Sequence, residues 1–195
     1  MQEKLILVTN DDGFDAPGIK FLTQIAKQFG KVIVLGPDSG RSGQSHAVTM
    51  NTPLRLNEHE KSEDLTVYSS NGTPVDCVKL ALHYLLERKP DLILSGINHG
   101  ANASVNIFYS GTMAAVIEGC MLNIPSIGFS TCEDDYEYNL SPLRKDIEII
   151  ISKVLNEGLD HRTCLNVNFP KNYNSEKGLM ICRQGHAYWE EEFEE

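Results

Sequence analysis

Asn10, Asp11 and Asp12 stand directly after the apolar run Leu5-Ile6-Leu7-Val8-Thr9, and Gly13 follows them. A run of this kind suits a strand covered on both faces of a parallel sheet. In open α/β sheets, ligands bind just beyond the carboxyl ends of the strands. Adjacent carboxylates repel, and holding both charged in a partly dry crevice is costly. A bound cation relieves that cost, so the triplet is a candidate metal site. Asn, Asp and Gly are also ordinary turn residues, and a plain turn is the competing reading.

Three further stretches carry residues of the same chemical kind. Residues 37–46, Pro-Asp-Ser-Gly-Arg-Ser-Gly-Gln-Ser-His, form a polar loop after a second apolar run and offer Ser39, Arg41, Ser42, Ser45 and His46. A third run, Asp91-Leu92-Ile93-Leu94, ends in Ser95-Gly96-Ile97-Asn98-His99-Gly100-Ala101-Asn102. One polar strand end is a turn, whereas three in a parallel sheet are better explained as one crevice. Asp11, Asp12, the loop serines and Asn98 are all oxygen donors, which suit Mg²⁺, Mn²⁺ or Ca²⁺ better than zinc or copper. His46 and His99 are either general acid/base groups or plain polar residues. Finally, Ser110-Gly111-Thr112 opens a helix and presents free N–H groups and hydroxyls at its positive end, either a phosphate site or a simple cap. No Walker loop is present. A cation beside such a helix end would neutralise a phosphoryl oxygen and acidify a bound water, which fits phosphoryl hydrolysis.

The elements that must position these residues follow from periodicity. Pro17 starts a helix whose apolar positions Ile19, Leu22, Ile25 and Ala26 lead up to Gly30, and Lys31–Gly36 is a second buried strand. This strand-helix-strand unit implies a right-handed parallel crossover. Short β-like pieces are expected at 47–50, 54–56 and 65–68, with the polar run Asn57 to Asp64 as a hairpin turn. Thr73-Pro74-Val75-Asp76 reads as a helix start, with Thr73 as N-cap and the helix ending near Lys89-Pro90. Further expectations are a helix over 111–122, a strand over 124–130, a helix after Ser141-Pro142, a strand over 164–170 and another over 179–182.

Bulk properties narrow the function class. A chain of 195 residues is most simply one domain with a substantial core. No stretch approaches the roughly 20 apolar residues of a membrane span, and no signal pattern opens the chain, so a cytoplasmic protein without membrane attachment is expected. The five cysteines, Cys77, Cys120, Cys132, Cys164 and Cys182, are widely spaced, which argues against a disulfide framework or zinc site. The formal net charge is -10. An acidic body is a poor binder of nucleic acid, so a phosphate ester must be attracted locally.

Five stretches taken together resemble the SurE family of metal-dependent nucleotidases and phosphatases. They are Leu7-Val8-Thr9-Asn10-Asp11-Asp12-Gly13, Pro37-Asp38 with Arg41-Ser42-Gly43, Gly72-Thr73-Pro74-Val75-Asp76-Cys77-Val78, Ser95-Gly96-Ile97-Asn98 with Gly100 and Asn102, and Tyr109-Ser110-Gly111-Thr112. The resemblance implies an α/β fold: a Rossmann-like three-layer sandwich whose mostly parallel sheet carries a short β-hairpin excursion. It implies hydrolysis of nucleoside 5′-monophosphates, with 3′-monophosphates and short polyphosphate as further substrates. It also implies one divalent cation per subunit, Mg²⁺ or Mn²⁺ with Ca²⁺ able to occupy the site, held by Asp11, Asp12, Ser42 and Asn98. The two aspartates double as catalytic residues. Asn10, Asn102, Ser110, Gly111 and Thr112 match the family's substrate and phosphate surroundings.

Family members usually continue into a C-terminal arm that builds dimers and tetramers. Residues 1–185 are accordingly expected to form the nucleotidase domain, and 186–195 an acidic tail where that arm would begin. A homodimer or higher homo-oligomer is expected, weakened by the short C-terminus. Two alternatives stand beside the enzyme: a non-catalytic nucleotide-binding protein whose turnover needs the arm, and a group transferase on the same frame.

Overall fold

β1 (Leu5–Thr9) lies at the centre of a seven-stranded sheet of order β3-β4-β2-β1-β5-β6-β7. The computed structural model describes residues 3–133, 135–188 and 190. The other strands are β2 (Lys31–Pro37), β3 (Leu56–Lys61), β4 (Leu65–Ser70), β5 (Leu92–His99), β6 (Ser126–Thr131) and β7 (Leu165–Phe169). All pair in parallel except β3, which runs antiparallel to β4 at the sheet edge. From β1 the chain steps outward to β2 and β4, then crosses back to β5 on the other side of β1. Strand order therefore reverses at β1, and its carboxyl end is the topological switch point where such sheets bind ligands.

Among the described residues four α-helices cover the two faces: α1 (Pro17–Ala26), α2 (Pro74–Leu80, prolonged by a π-helical turn over Ala81–Leu85), α3 (Gly111–Met121) and α4 (Arg144–Glu157). Alternation along each strand divides the core. Ile6, Val8, Val32, Val34, Leu92, Leu94, Ile127 and Phe129 pack with α1 and α4. Leu7, Ile33, Leu35 and Ile93 pack with Cys77, Val78 and Ala81 of the α2 segment and Ala115 of α3. Two apolar faces explain why the central strands read as continuous apolar runs. The three-layer α/β reading therefore holds.

Local signals place the helix starts. Thr73 Oγ1 accepts from the N–H of Asp76, and Asp76 Oδ2 accepts from the N–H of Thr73, which closes a capping box. Ser110 caps α3 by accepting from the N–H of Met113 at 3.0 Å. α3 lies close on the sheet because Gly119 faces it: a Cβ there would sit 2.4 Å from Ser126 Oγ and 2.6 Å from Ile93 Cδ1.

Several expectations need correction. Asn57–Glu60 belongs to β3, and the hairpin turn is confined to 62–64. This edge strand is almost wholly exposed, so it needs no apolar alternation. Residues 47–50 form no strand, because the N–H of Thr49 donates to Asp76 and the carbonyl of Ala47 accepts from Thr73 Oγ1. Residues 179–182 also form no strand and lie exposed, with no neighbouring strand among the described residues. The helix expected to run to Lys89 leaves regular α geometry at Leu80. Residues 191–195 of the expected acidic tail lie outside the described residues.

Gly119→Ala sets two effects against each other. Alanine improves helix propensity by roughly 0.5–1 kcal/mol, whereas overpacking a close-packed interface costs about 1–3 kcal/mol. The atoms met at 2.4 and 2.6 Å are side-chain ends, but Ser126 and Ile93 are fully buried and Ser126 Oγ donates to the carbonyl of Ile124, so neither can move aside freely and overpacking outweighs the gain in propensity. Urea denaturation should show Gly119→Ala as the less stable protein, and equal or raised stability would mean that α3 can move off the sheet freely.

Candidate active site

The carboxyl ends of β1 and β5 carry a concentration of buried polar groups. Thr9 and Ser95 are register neighbours on these strands. Asn10 is fully buried and donates its side-chain N–H to the carbonyl of Gly13 at 2.8 Å, bracing the turn from within. Asp11 is 4% exposed, and its backbone carbonyl accepts from the N–H of Arg41 at 2.7 Å. That bond ties the turn to the loop after β2, in which the exposed Ser42 follows Arg41. The loop is fastened at its other end by Ser45, whose N–H and hydroxyl donate to the carbonyls of Tyr109 and Phe108.

Each acid of the turn takes a side-chain hydroxyl on one of its oxygens. Thr112 Oγ1 donates to Asp11 Oδ1 at 2.5 Å, across 101 positions of sequence. Gly111 permits this approach, since a Cβ there would meet Asp11 Cβ at 2.7 Å. Tyr136 donates its hydroxyl to Asp12 Oδ1 at 3.0 Å. Among the described residues Asp12 Oδ2 has no hydrogen-bond partner, and His99 Nδ1 stands 3.9 Å from it. The Asp12 and His99 side chains are only 3% and 1% exposed, and among the described residues neither ring nitrogen of His99 has a hydrogen-bond partner. The His99 ring packs against that of Tyr136, tilted by 31° with centroids 4.5 Å apart.

Electrostatics follow from this geometry. Burial, helped by the neighbouring Asp12 charge, pushes the Asp11 carboxyl from 3.8 up to about 6, although the Thr112 hydrogen bond pulls the other way. Burial and the adjacent Asp12 push the Tyr136 hydroxyl up to about 12, so it stays a donor. Among the described residues no Lys or Arg forms an ion pair with either acid.

The expected ligands are positioned in different ways. Asn98 lies where the β5–β6 register slips between Ser95 and Asn98, an irregularity of the kind that re-aims side chains near sites. Its side-chain N–H donates to the carbonyl of Gly100 at 2.7 Å, which turns its amide oxygen the other way. The donor types fit a hard cation: two carboxylates (that of Asp12 with an orphaned buried oxygen), an amide oxygen and a hydroxyl. Among the described residues no three His, Cys, Asp or Glu side chains converge as a metal cluster, so neutral oxygens must complete any shell.

Other candidates have partners elsewhere. Asn102 is buried, donates to Ser130 Oγ at 2.6 Å, and is tied through its backbone to Asn166 and Asn168 of β7. Ser39 donates to Asp38, and His46 pairs with Glu118 of α3 at 3.0 Å. Cys77, Cys120, Cys164 and Cys182 are free thiols. Tyr136 is a site residue that no motif in the sequence announces. The signal that could have found it is position: it follows β6, whose carboxyl end opens on the same edge as β1, β2 and β5.

Fold and site together define an α/β protein with oxygen donors at its switch point, beside a helix N-terminus. The chain belongs to the SurE family: the profile described as Survival protein SurE matches residues 6–191. It is 47% identical over 196 residues to the 5′-nucleotidase SurE of Flavobacterium psychrophilum, covering 100% of this chain and 76% of that protein. It is 46% identical over 192 residues to the 5′-nucleotidase SurE of Bacteroides thetaiotaomicron, covering 98% and 74%. The crystal structure of the SurE protein from Aquifex aeolicus superposes with a TM-score of 0.83 at 41% identity, covering 93% of this chain and 73% of that one.

The raised Asp11 value has a testable sign. The folded, metal-free protein binds this proton more tightly than the unfolded chain does. Ionised Asp11 therefore destabilises the fold, by about 3 kcal/mol at 1.36 kcal/mol per unit. The cost is absent below 3.8 and complete above about 6. Thermal melts in chelator should show the stability of wild type relative to Asp11→Asn falling as pH rises through that window. A difference independent of pH would contradict the burial effect.

Proposed function

We propose that this protein is a divalent-metal-dependent phosphomonoesterase that hydrolyses nucleoside 5′-monophosphates to nucleoside and phosphate. Nucleotidase activity rests on membership of a family whose relatives carry that name. 3′-Monophosphates and short polyphosphate belong to the proposal as further substrates. The observation that carries the mechanism is the Thr112–Asp11 contact, which sets an anionic turn and an anion-attracting helix end into one wall.

Asp11, Asp12, Ser42 and Asn98 would hold one Mg²⁺ or Mn²⁺, with Ca²⁺ able to take the same oxygens. When bound, the cation supplies Lewis-acid stabilisation of phosphoryl charge and acidifies water. The chain's own groups orient the ester. In the first turn of α3, the Met113 N–H goes to Ser110 and the Thr112 backbone also serves Asp11. The Gly111 N–H is then the first-turn donor left for a phosphate oxygen. Fixed donors of this kind stabilise developing charge without reorganising.

The wider reading follows from chemistry. Free cysteines accord with a reducing, cytoplasmic compartment. Among the described residues no helix is long and apolar enough to cross a membrane. The acidic net charge disfavours nucleic acid as partner. The exposed Leu179, Met180 and Ile181 support assembly of several copies.

Phosphate release over a panel of nucleoside monophosphates, with and without chelator, tests the proposal. Activity should vanish with chelator and return with Mg²⁺ or Mn²⁺. Asp12→Asn should lower turnover by about 10²–10³, the usual cost of losing one charge-stabilising group. Undiminished hydrolysis in chelator, or by Asp12→Asn, would contradict it.

A further inference from the structure

The two acids of the turn are anchored in the same manner. Asp11 Oδ1 takes the Thr112 hydroxyl and Asp12 Oδ1 takes the Tyr136 hydroxyl. Thr112 belongs to the helix entry already assigned to phosphate, whereas Tyr136 comes from the loop after β6 and has no role in that scheme. Without an anchor, the Asp12 side chain could rotate about its terminal torsion, which has a broad, nearly two-fold profile. The Tyr136 hydroxyl removes that freedom for one oxygen and leaves Oδ2, which is buried and has no hydrogen-bond partner among the described residues, as the acceptor. The phenol is itself positioned by its ring, which lies on the buried His99 imidazole. His99 pairs in register with Thr131, the last residue of β6. Rigid strand ends thus hold the imidazole, the imidazole holds the phenol, and the phenol holds the carboxylate.

We propose that Tyr136 is a positioning residue for the cation: its hydroxyl fixes one oxygen of Asp12 so that Oδ2 is presented to the metal. This rests on the metal reading above. Groups that hydrogen-bond to a ligating carboxylate set its orientation, and their loss typically costs 10–100-fold in metal affinity. Tyr136 is 51% exposed, so changing it leaves the core intact. The ring and the hydroxyl are separable. Tyr136→Phe keeps the ring contact and removes the donor, and Tyr136→Ala removes both.

The experiment is isothermal titration of Mn²⁺ into chelator-stripped wild type, Tyr136→Phe and Tyr136→Ala, each checked for folding by circular dichroism. Both variants should bind Mn²⁺ about 10–100-fold more weakly than wild type. In the activity assay, the Mn²⁺ concentration for half-maximal rate should rise in step, with kcat at saturating Mn²⁺ close to wild type. Wild-type affinity in Tyr136→Phe alone would assign any effect to the ring and overturn the proposal. Tighter binding by Tyr136→Phe would make the hydroxyl a competitor of the cation and overturn it as well. If wild type itself takes up no Mn²⁺, the metal reading falls, a failure distinct from equal binding by all three proteins.

Discussion

Two adjacent carboxylates at the end of a fully buried strand must be kept in place against their own repulsion, and the rest of the site follows from how this is done. The Thr112 hydroxyl reaches Asp11 from the first turn of α3, so the same contact that holds the acid also aims the helix end at it. The arrangement opposes stability, because burial raises the Asp11 carboxyl well above its ordinary range. A cation between the acids would reverse that penalty, since an opposite charge nearby favours the ionised form. Strain of this sort is common where a fold gives up stability for function.

The scaffold's part is to make the approach of α3 possible. Gly119 lets the helix lie against Ser126 and Ile93, and Gly111 lets its first turn meet the Asp11 side chain. The loop after β2 is drawn over the same edge by Arg41 to Asp11 and by Ser45 to the residues that precede α3. Three chain segments distant in sequence are thereby locked around one point, with β1 as their common support.

Much of this is legible in the sequence where the cause is local or periodic. The Thr73 capping box, the central strands and the polar strand ends can all be read directly, because each depends on near neighbours or on burial of both sheet faces. Asn57–Glu60 reads as a turn because an exposed edge strand carries no apolar alternation. Leu179–Cys182 looks like a strand, but apolar and β-branched composition does not supply a pairing partner. The Thr112–Asp11 and Tyr136–Asp12 contacts span 101 and 124 positions, and no spacing rule reaches that far. The acids can be proposed as a metal site from their setting, whereas the hydroxyls that hold them emerge only in three dimensions.

A crystal structure of the protein soaked with Mn²⁺ and inorganic phosphate would decide whether this edge of the sheet is one metal-and-phosphate site. Anomalous density should place a single ion on Asp11, Asp12, Ser42 and Asn98, with phosphate between that ion and the first turn of α3. An ion bound elsewhere, or phosphate held with no ion at the two aspartates, would contradict the account.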